Sequence, residues 1–244
     1  MRDRFREQVR EDVKAAALRQ IASGGASAVS VNAIARQLGV SGPALYRYFA
    51  NRDELLAELV LDAYHDLADA LAAATDRELG HSPQDRFRAL ARAWRSFALA
   101  EPHRYQLLLT PPVPGHDAYA EPLVSAANRT MAVGLDVFAA LAAVETESGH
   151  PITGSSGHSD SGVPTSLPET DLSAVGGSHQ EMFSATGTRP EELLRAISAW
   201  ARLHGLVSLE LGVDFSSIGI DADALFRREV DALVREHVRA RDPS

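Results

Sequence analysis

Apolar residues in this chain recur mostly three and four positions apart, the period of helices that bury one face. The pattern is sharpest from Ser30 to Arg52, SVNAIARQLGVSGPALYRYFANR. There Val31, Ile34 and Leu38 form one stripe, and Gly39 stands where a helix ends. Val40 and Ser41 make a turn. Ser41 sits at the N-cap position of a second helix, and Pro43 follows near its start, where a missing N–H costs nothing. Leu45 and Phe49 lie about 40° apart on that helix and can bury against Ile34 and Leu38. The opposite face is centred on Pro43 and Arg47 and flanked by Ala44, Tyr46 and Ala50, and Gly42 leaves room for close approach. Two helices on a short glycine-containing turn form a helix-turn-helix, whose second helix lies in the DNA major groove.

The run IARQLGVSGPALYRYFANRDELL resembles the DNA-binding domain of the TetR family of bacterial transcriptional regulators. The shared features are the IA…LGVS core, the L-Y-x-x-F recognition helix and an acid-led helix directly after it. The segment AWARLHGLVSLELG resembles a C-terminal domain type of that family marked by Trp200, His204 and Gly205.

Around this hairpin the pattern predicts further helices. Arg2 to Ala22, with Phe5, Val9, Val13, Ala16 and Ile21 on its apolar side and Gly24 and Gly25 at its end, should brace the pair. Its Arg2, Arg4 and Arg6 are within reach of phosphates or of water. Asp53 is the expected cap of a long fourth helix carrying Leu56, Leu59, Val60, Ala63, Leu67 and Leu71. Ser82-Pro83 opens a helix with Leu90, Trp94 and Phe97 that ends before Pro102, and a short segment covers His103 to Leu109. Past the PPVPG break, Ala120 to Val144 is alanine-rich and apolar nearly all round, as a buried helix is. Residues 145–190 hold seven Gly and nine Ser, so 145–188 reads as a flexible loop. Helices resume at Pro190-Glu191-Glu192, with Leu193, Ile197, Trp200, His204, Val207 and Leu211 on one stripe, and end with Ala222 to Arg239.

Net charge is −9 overall, which taken as uniform argues against a nucleic-acid partner. It is not uniform. Residues 1–52 hold nine basic and four acidic residues, a net of +5, whereas the remainder carries fifteen and twenty-nine, a net of −14. A basic module on an acidic body suits a protein that meets DNA at one end. With no cysteine, disulfides and thiolate chemistry are excluded. The charged N-terminus and the absence of a 20-residue apolar run lead to the expectation of a soluble, cytoplasmic protein without a membrane segment.

Tyr46, Tyr48, Ser41 and Arg52 carry groups able to bond phosphate oxygens; packed rim positions are the bland alternative for the tyrosines, and the resemblance favours phosphate contact for Tyr46. Arg47 is the best candidate for base reading, since a guanidinium bonds guanine O6 and N7 together, although phosphate contact without readout is the more ordinary role for it. Gly42, Pro43 and Ala44 admit close apolar contact. His204 on an apolar stripe is more ordinary as a core or interface histidine than as a ligand contact. Asp62 and His65, three apart on one helix, are a weak metal pair that a solvated face explains. No HExxH, GxSxG, P-loop or dinucleotide fingerprint occurs, so no catalytic residue, metal or cofactor is expected.

Together these readings predict an all-α protein with a helix-turn-helix DNA-binding domain at 1–52 and a helical ligand-binding and dimerisation domain at 53–244. The resemblance implies a regulator released from a near-palindromic double-stranded operator by a small-molecule effector. The expected pocket comprises Trp94, Phe97, Tyr105, Leu108, Met131, Phe138 and His204, although an ordinary filled core accounts for the same residues. The homodimer interface is expected from Ile197, Trp200, His204, Val207, Leu211, Phe226, Val230 and Leu233. Alternatives are an activator or ligand-independent regulator of the same fold, or a small-molecule-binding bundle with a vestigial DNA domain.

Overall fold

The computed structural model describes residues 2–109, 121–147 and 190–239. All regular structure among them is helical: α1 (Arg2–Gly24), α2 (Val31–Gln37), α3 (Gly42–Leu45), α4 (Arg52–Arg77), α5 (Pro83–Ala100), α6 (Pro102–Leu109), α7 (Glu121–Glu147), α8 (Pro190–Gly212) and α9 (Ala222–Arg239). The expected all-α class is the observed one. Described residues fall into two compact units, one of 2–73 with 92–109 and 121–130, the other of 74–91 with 131–147 and 190–239.

The first unit is built on the helix-turn-helix. Its core joins Val13, Ala16, Ala17 and Ile21 of α1 to Val31, Ile34 and Ala35 of α2, to Leu45 and Phe49, and to Leu55, Leu56, Leu59 and Val60 of α4. The spacing of these residues places them on one face of each helix, so a single cluster unites all four. Phe5, expected on the apolar side of α1, is 67% exposed; it lies more than a turn before the first fully buried position, Val13, and finds no core there. Beyond the core, the unit is laced by ion pairs from α4: Asp66 with Arg104 and Asp69 with Arg129. The Thr130 hydroxyl donates to the Tyr64 carbonyl at 3.2 Å.

In the second unit α8 and α9 pack on each other. The face that α8 buries is Leu193, Ala196, Ala199, Leu203 and Val207, and α9 contributes Phe226, Val230, Leu233 and Val234. Arg202 of α8 clamps α9 through Glu229 and Glu236, which hold its guanidinium firmly protonated, above its ordinary pKa. Phe87 of α5 meets Phe138 of α7 edge-on, centroids 5.2 Å apart, and Phe138 packs on Leu135, Leu193 and Ala196.

Two expectations need amendment here. Helix α7 is not buried on every side within this chain: the apolar side chain of Met131 is exposed. It also continues to Glu147, beyond the expected loop start at residue 145. The rest of the expected loop, from 148 to 188, lies outside the described residues, as does the PPVPG break.

Candidate nucleic-acid interface

Local signals at the hairpin explain its geometry. Ser30 caps α2, its Oγ accepting from the Ala33 N–H at 3.3 Å. At the other end Gly39 takes φ 68°, where its amide donates to the Arg36 carbonyl and that of Val40 to the Ala35 carbonyl, 3.2 and 3.0 Å. That pair of bonds is the Schellman arrangement, and it reverses the chain within two residues at a position an L side chain would strain. Ser41 is the N-cap residue of α3, but its hydroxyl makes no capping bond. Its exposed side chain is therefore not committed to the helix.

The recognition helix is shorter than its sequence suggests. Regular α-helix covers Gly42–Leu45 only, after which Arg47 and Tyr48 donate to carbonyls three residues back, at Ala44 and Leu45. Tightening of this kind is what a segment hemmed between two caps adopts. Asn51 closes it. The Asn51 Oδ1 accepts from the Glu54 N–H at 2.8 Å, and the Glu54 carboxylate accepts from the Ala50 N–H. This variant of a capping box starts α4 at Arg52 and makes Asn51, not Asp53, the cap.

With Leu45 and Phe49 each 1% exposed, the phase of the segment is set and its outer residues follow. Pro43 and Arg47 are exposed, Tyr46 is 44% exposed, and Gly42 and Ala44 are half-buried. Among the described residues, no hydrogen bond or ion pair engages the Arg47 guanidinium or the Tyr46 hydroxyl. Tyr48 is half-buried and packs against the core. Arg52 is directed into the module: its Nη2 and Nε donate to the carbonyls of Ala26 and Val29 at 2.6 and 3.1 Å. Sequence reasoning missed Arg10, whose guanidinium lies 4.5 Å from the centroid of the Phe49 ring. No motif marks it; only the packing of α1 across the hairpin reveals it.

Of the candidate pocket residues, Trp94, Phe97, Tyr105 and Leu108 belong to the first unit and Met131, Phe138 and His204 to the second. The Trp94 Nε1 donates to the Tyr105 hydroxyl at 3.0 Å, and burial pushes the Tyr105 phenol up to about 12. A cleft of about 320 Å³ lies between the start of α4 and the start of α7, lined by Asp53, Glu54, Ala57, Glu58 and Leu61 on one side and by Pro122 and Leu123 on the other. Asp62, half of the weak metal pair, receives the Lys14 ammonium at 2.8 Å. Of the candidate interface residues, Val207, Phe226, Val230 and Leu233 are buried within the chain, His204 and Leu211 are half-buried, and Ile197 and Trp200 are exposed.

Residues 14–59 match the family model for bacterial regulatory proteins of the tetR family, and residues 87–233 match that for a tetracyclin repressor-like C-terminal domain. The chain belongs to the TetR family. This TetR-family chain is 38% identical to the crystal structure of regulatory protein SCO4313, which covers 96% of it and of which it covers 98%, with a TM-score of 0.67. The TetR family transcriptional regulator PfmR from Thermus thermophilus shares the fold, at 17% identity, coverages of 91% and 97% and a TM-score of 0.50. HTH-type transcriptional regulator Rv1816 of Mycobacterium tuberculosis and its counterpart Mb1846 of Mycobacterium bovis are each 41% identical over 135 residues, 55% of this chain. The chain spans 58% of the length of these curated relatives.

Proposed function

We propose that this chain is a DNA-binding transcriptional regulator that acts as a homodimer, most simply as a repressor released from its operator by a small molecule in the cytoplasm. The observation that carries the reading is the outer face of the hairpin. Buried Leu45 and Phe49 turn Arg47 and Tyr46 outward, with no side-chain partner among the described residues, on a module whose charge is positive while the rest of the chain is negative. In this reading Arg47 meets base edges; Ser41, Tyr46, Tyr48 and Arg52 meet phosphates; and Gly42, Pro43 and Ala44 admit the groove wall. Arg52 Nε and Nη2 each donate one bond to carbonyls within the module, so Arg52 also helps to hold its shape.

Residues 1–52 act as the DNA-binding domain, and 53–244 as the effector and dimerisation domain. Pairing of two copies uses the surface of α8 left open around Ile197 and Trp200. Two-fold symmetry then requires a near-palindromic operator with half-sites separated by whole helical turns. An effector with unequal affinity for two arrangements of the body shifts DNA affinity by that inequality, and by nothing else.

Selection of duplexes from a random-sequence library, followed by footprinting, tests the reading directly. A palindromic consensus protected on both half-sites is the expected result. Failure to enrich any sequence above bulk DNA would remove the proposal.

A further inference from the structure

The recognition segment is too short to maintain its own shape. Its regular part has four residues, whereas a helix begins to stabilise itself only after a costly first turn. Its last carbonyls have no helical partners of their own. The Tyr48 carbonyl is the acceptor at that end, and the group that meets it comes from α1. Arg10 Nη1 donates to Tyr48 O at 2.6 Å while Nη2 of the same guanidinium donates to the Glu58 carboxylate on α4. Its guanidinium carbon also lies over the Phe49 ring. The Arg10 and Glu58 side chains are each 27% exposed, so the linkage is partly shielded from water, where charge-assisted bonds are stronger than on an open surface.

A natural control sits one turn away. Lys14 bonds Asp62 on α4 at 2.8 Å and pairs with Glu11. It ties α1 to α4 as Arg10 does, yet makes no hydrogen bond to the recognition segment among the described residues. General bracing is therefore separable from positioning.

We infer that Arg10 is a positioning residue for DNA recognition, holding the C-terminal end of the Gly42–Phe49 segment in register with the first turns of α4. This inference rests on the DNA-binding reading above. Its physical content is preorganisation. With Arg10 in place the segment meets the groove already shaped; without it, only a fraction of molecules present the competent shape, and apparent affinity falls by that fraction. Because Tyr48 O and Glu58 share one guanidinium, displacement of the α4 start is also transmitted to the recognition segment through this residue.

The test compares Arg10→Ala with Lys14→Ala at a temperature where circular dichroism shows both folded, using a duplex selected by the wild-type chain and a random duplex of equal length. Arg10→Ala should weaken binding to the selected duplex by about tenfold to a hundredfold, the scale of one lost charge-assisted bond. Binding to random DNA should stay within about twofold, because phosphate contact does not need the exact register. Lys14→Ala should stay within about twofold on both. Arg10→Lys keeps a cation near Glu58 but not the planar fork and should recover part of the loss; it replaces Arg10→Ala in every comparison if the alanine variant does not fold. Equal losses in the Arg10 and Lys14 variants, or no loss at Arg10, would overturn the inference. If the wild-type chain selects no duplex, the DNA-binding reading is what fails. Amide exchange at Tyr48 and Phe49 then still decides the role of Arg10: faster exchange in the Arg10 variant alone supports it, and unchanged exchange rejects it.

Discussion

The indole of Trp200 and the imidazole of His204 stack one turn apart on α8, with ring planes 7° apart and centroids 5.2 Å apart. The Ser208 hydroxyl approaches the imidazole nitrogens at 3.4 Å. Partial burial lowers the His204 pKa below its ordinary value, because the charged ring loses water there. The folded state then binds fewer protons than the unfolded one across the interval between the two pKa values. Stability should fall as pH drops through about 6.5 toward the depressed value, and level off below it. Urea unfolding at about pH 7.5 and about pH 5.5 measures this, and His204→Gln should flatten the difference. An unaltered pH response in that variant would show that other groups cause it.

The same helix supplies the prediction on assembly. Ile197 and Trp200 are 46% and 43% exposed, while most other apolar residues on the expected interface stripes are buried in the chain. Substituting Ile197→Glu or Trp200→Glu should therefore separate two copies without unfolding either, since a carboxylate in an apolar contact must be desolvated. Sedimentation velocity at micromolar protein should show a dimer for the wild-type chain and a monomer for both variants. A wild-type monomer would reject pairing through this surface.

Arg47→Ala should cost about 1–3 kcal/mol on the selected operator and relax one base position in each half-site, if the guanidinium reads guanine. Competition against single-base operator variants measures it. Equal weakening on specific and random DNA would reassign Arg47 to a phosphate.

The start of α4 allows a test of which residue caps it. Asn51→Ala removes the Oδ1 acceptor for the Glu54 N–H and should lower stability by about 1 kcal/mol. Asp53→Ala, which loses a favourable charge in the first turn and a part-exposed ion pair with Arg52 at 3.5 Å, should cost about 0.3–1 kcal/mol at low salt and less when screened. Urea midpoints at two salt concentrations distinguish them. A larger loss at Asp53 would return the cap to that position.

Sequence alone determined the helical class and the hairpin, because both rest on interactions between residues close in the chain. The period of Val31, Ile34 and Leu38, the terminating Gly39 and the pair Leu45 and Phe49 are local signals, and each does in the structure what its spacing implies. Likewise, the outward phase of Arg47 follows from burying its neighbours. Tertiary packing decided what depends on contacts distant in sequence. Arg10 reaches Tyr48 across thirty-eight positions, and no periodicity encodes that. The choice between Asn51 and Asp53 as cap depended on where the tightened turn released the chain. On α8, Trp200 and Val207 lie on one stripe by spacing, yet Val207 is fully buried and Trp200 is half open. An apolar stripe is wider than the neighbour it meets, and only the position of α9 and the other packed helices determines which edge is covered.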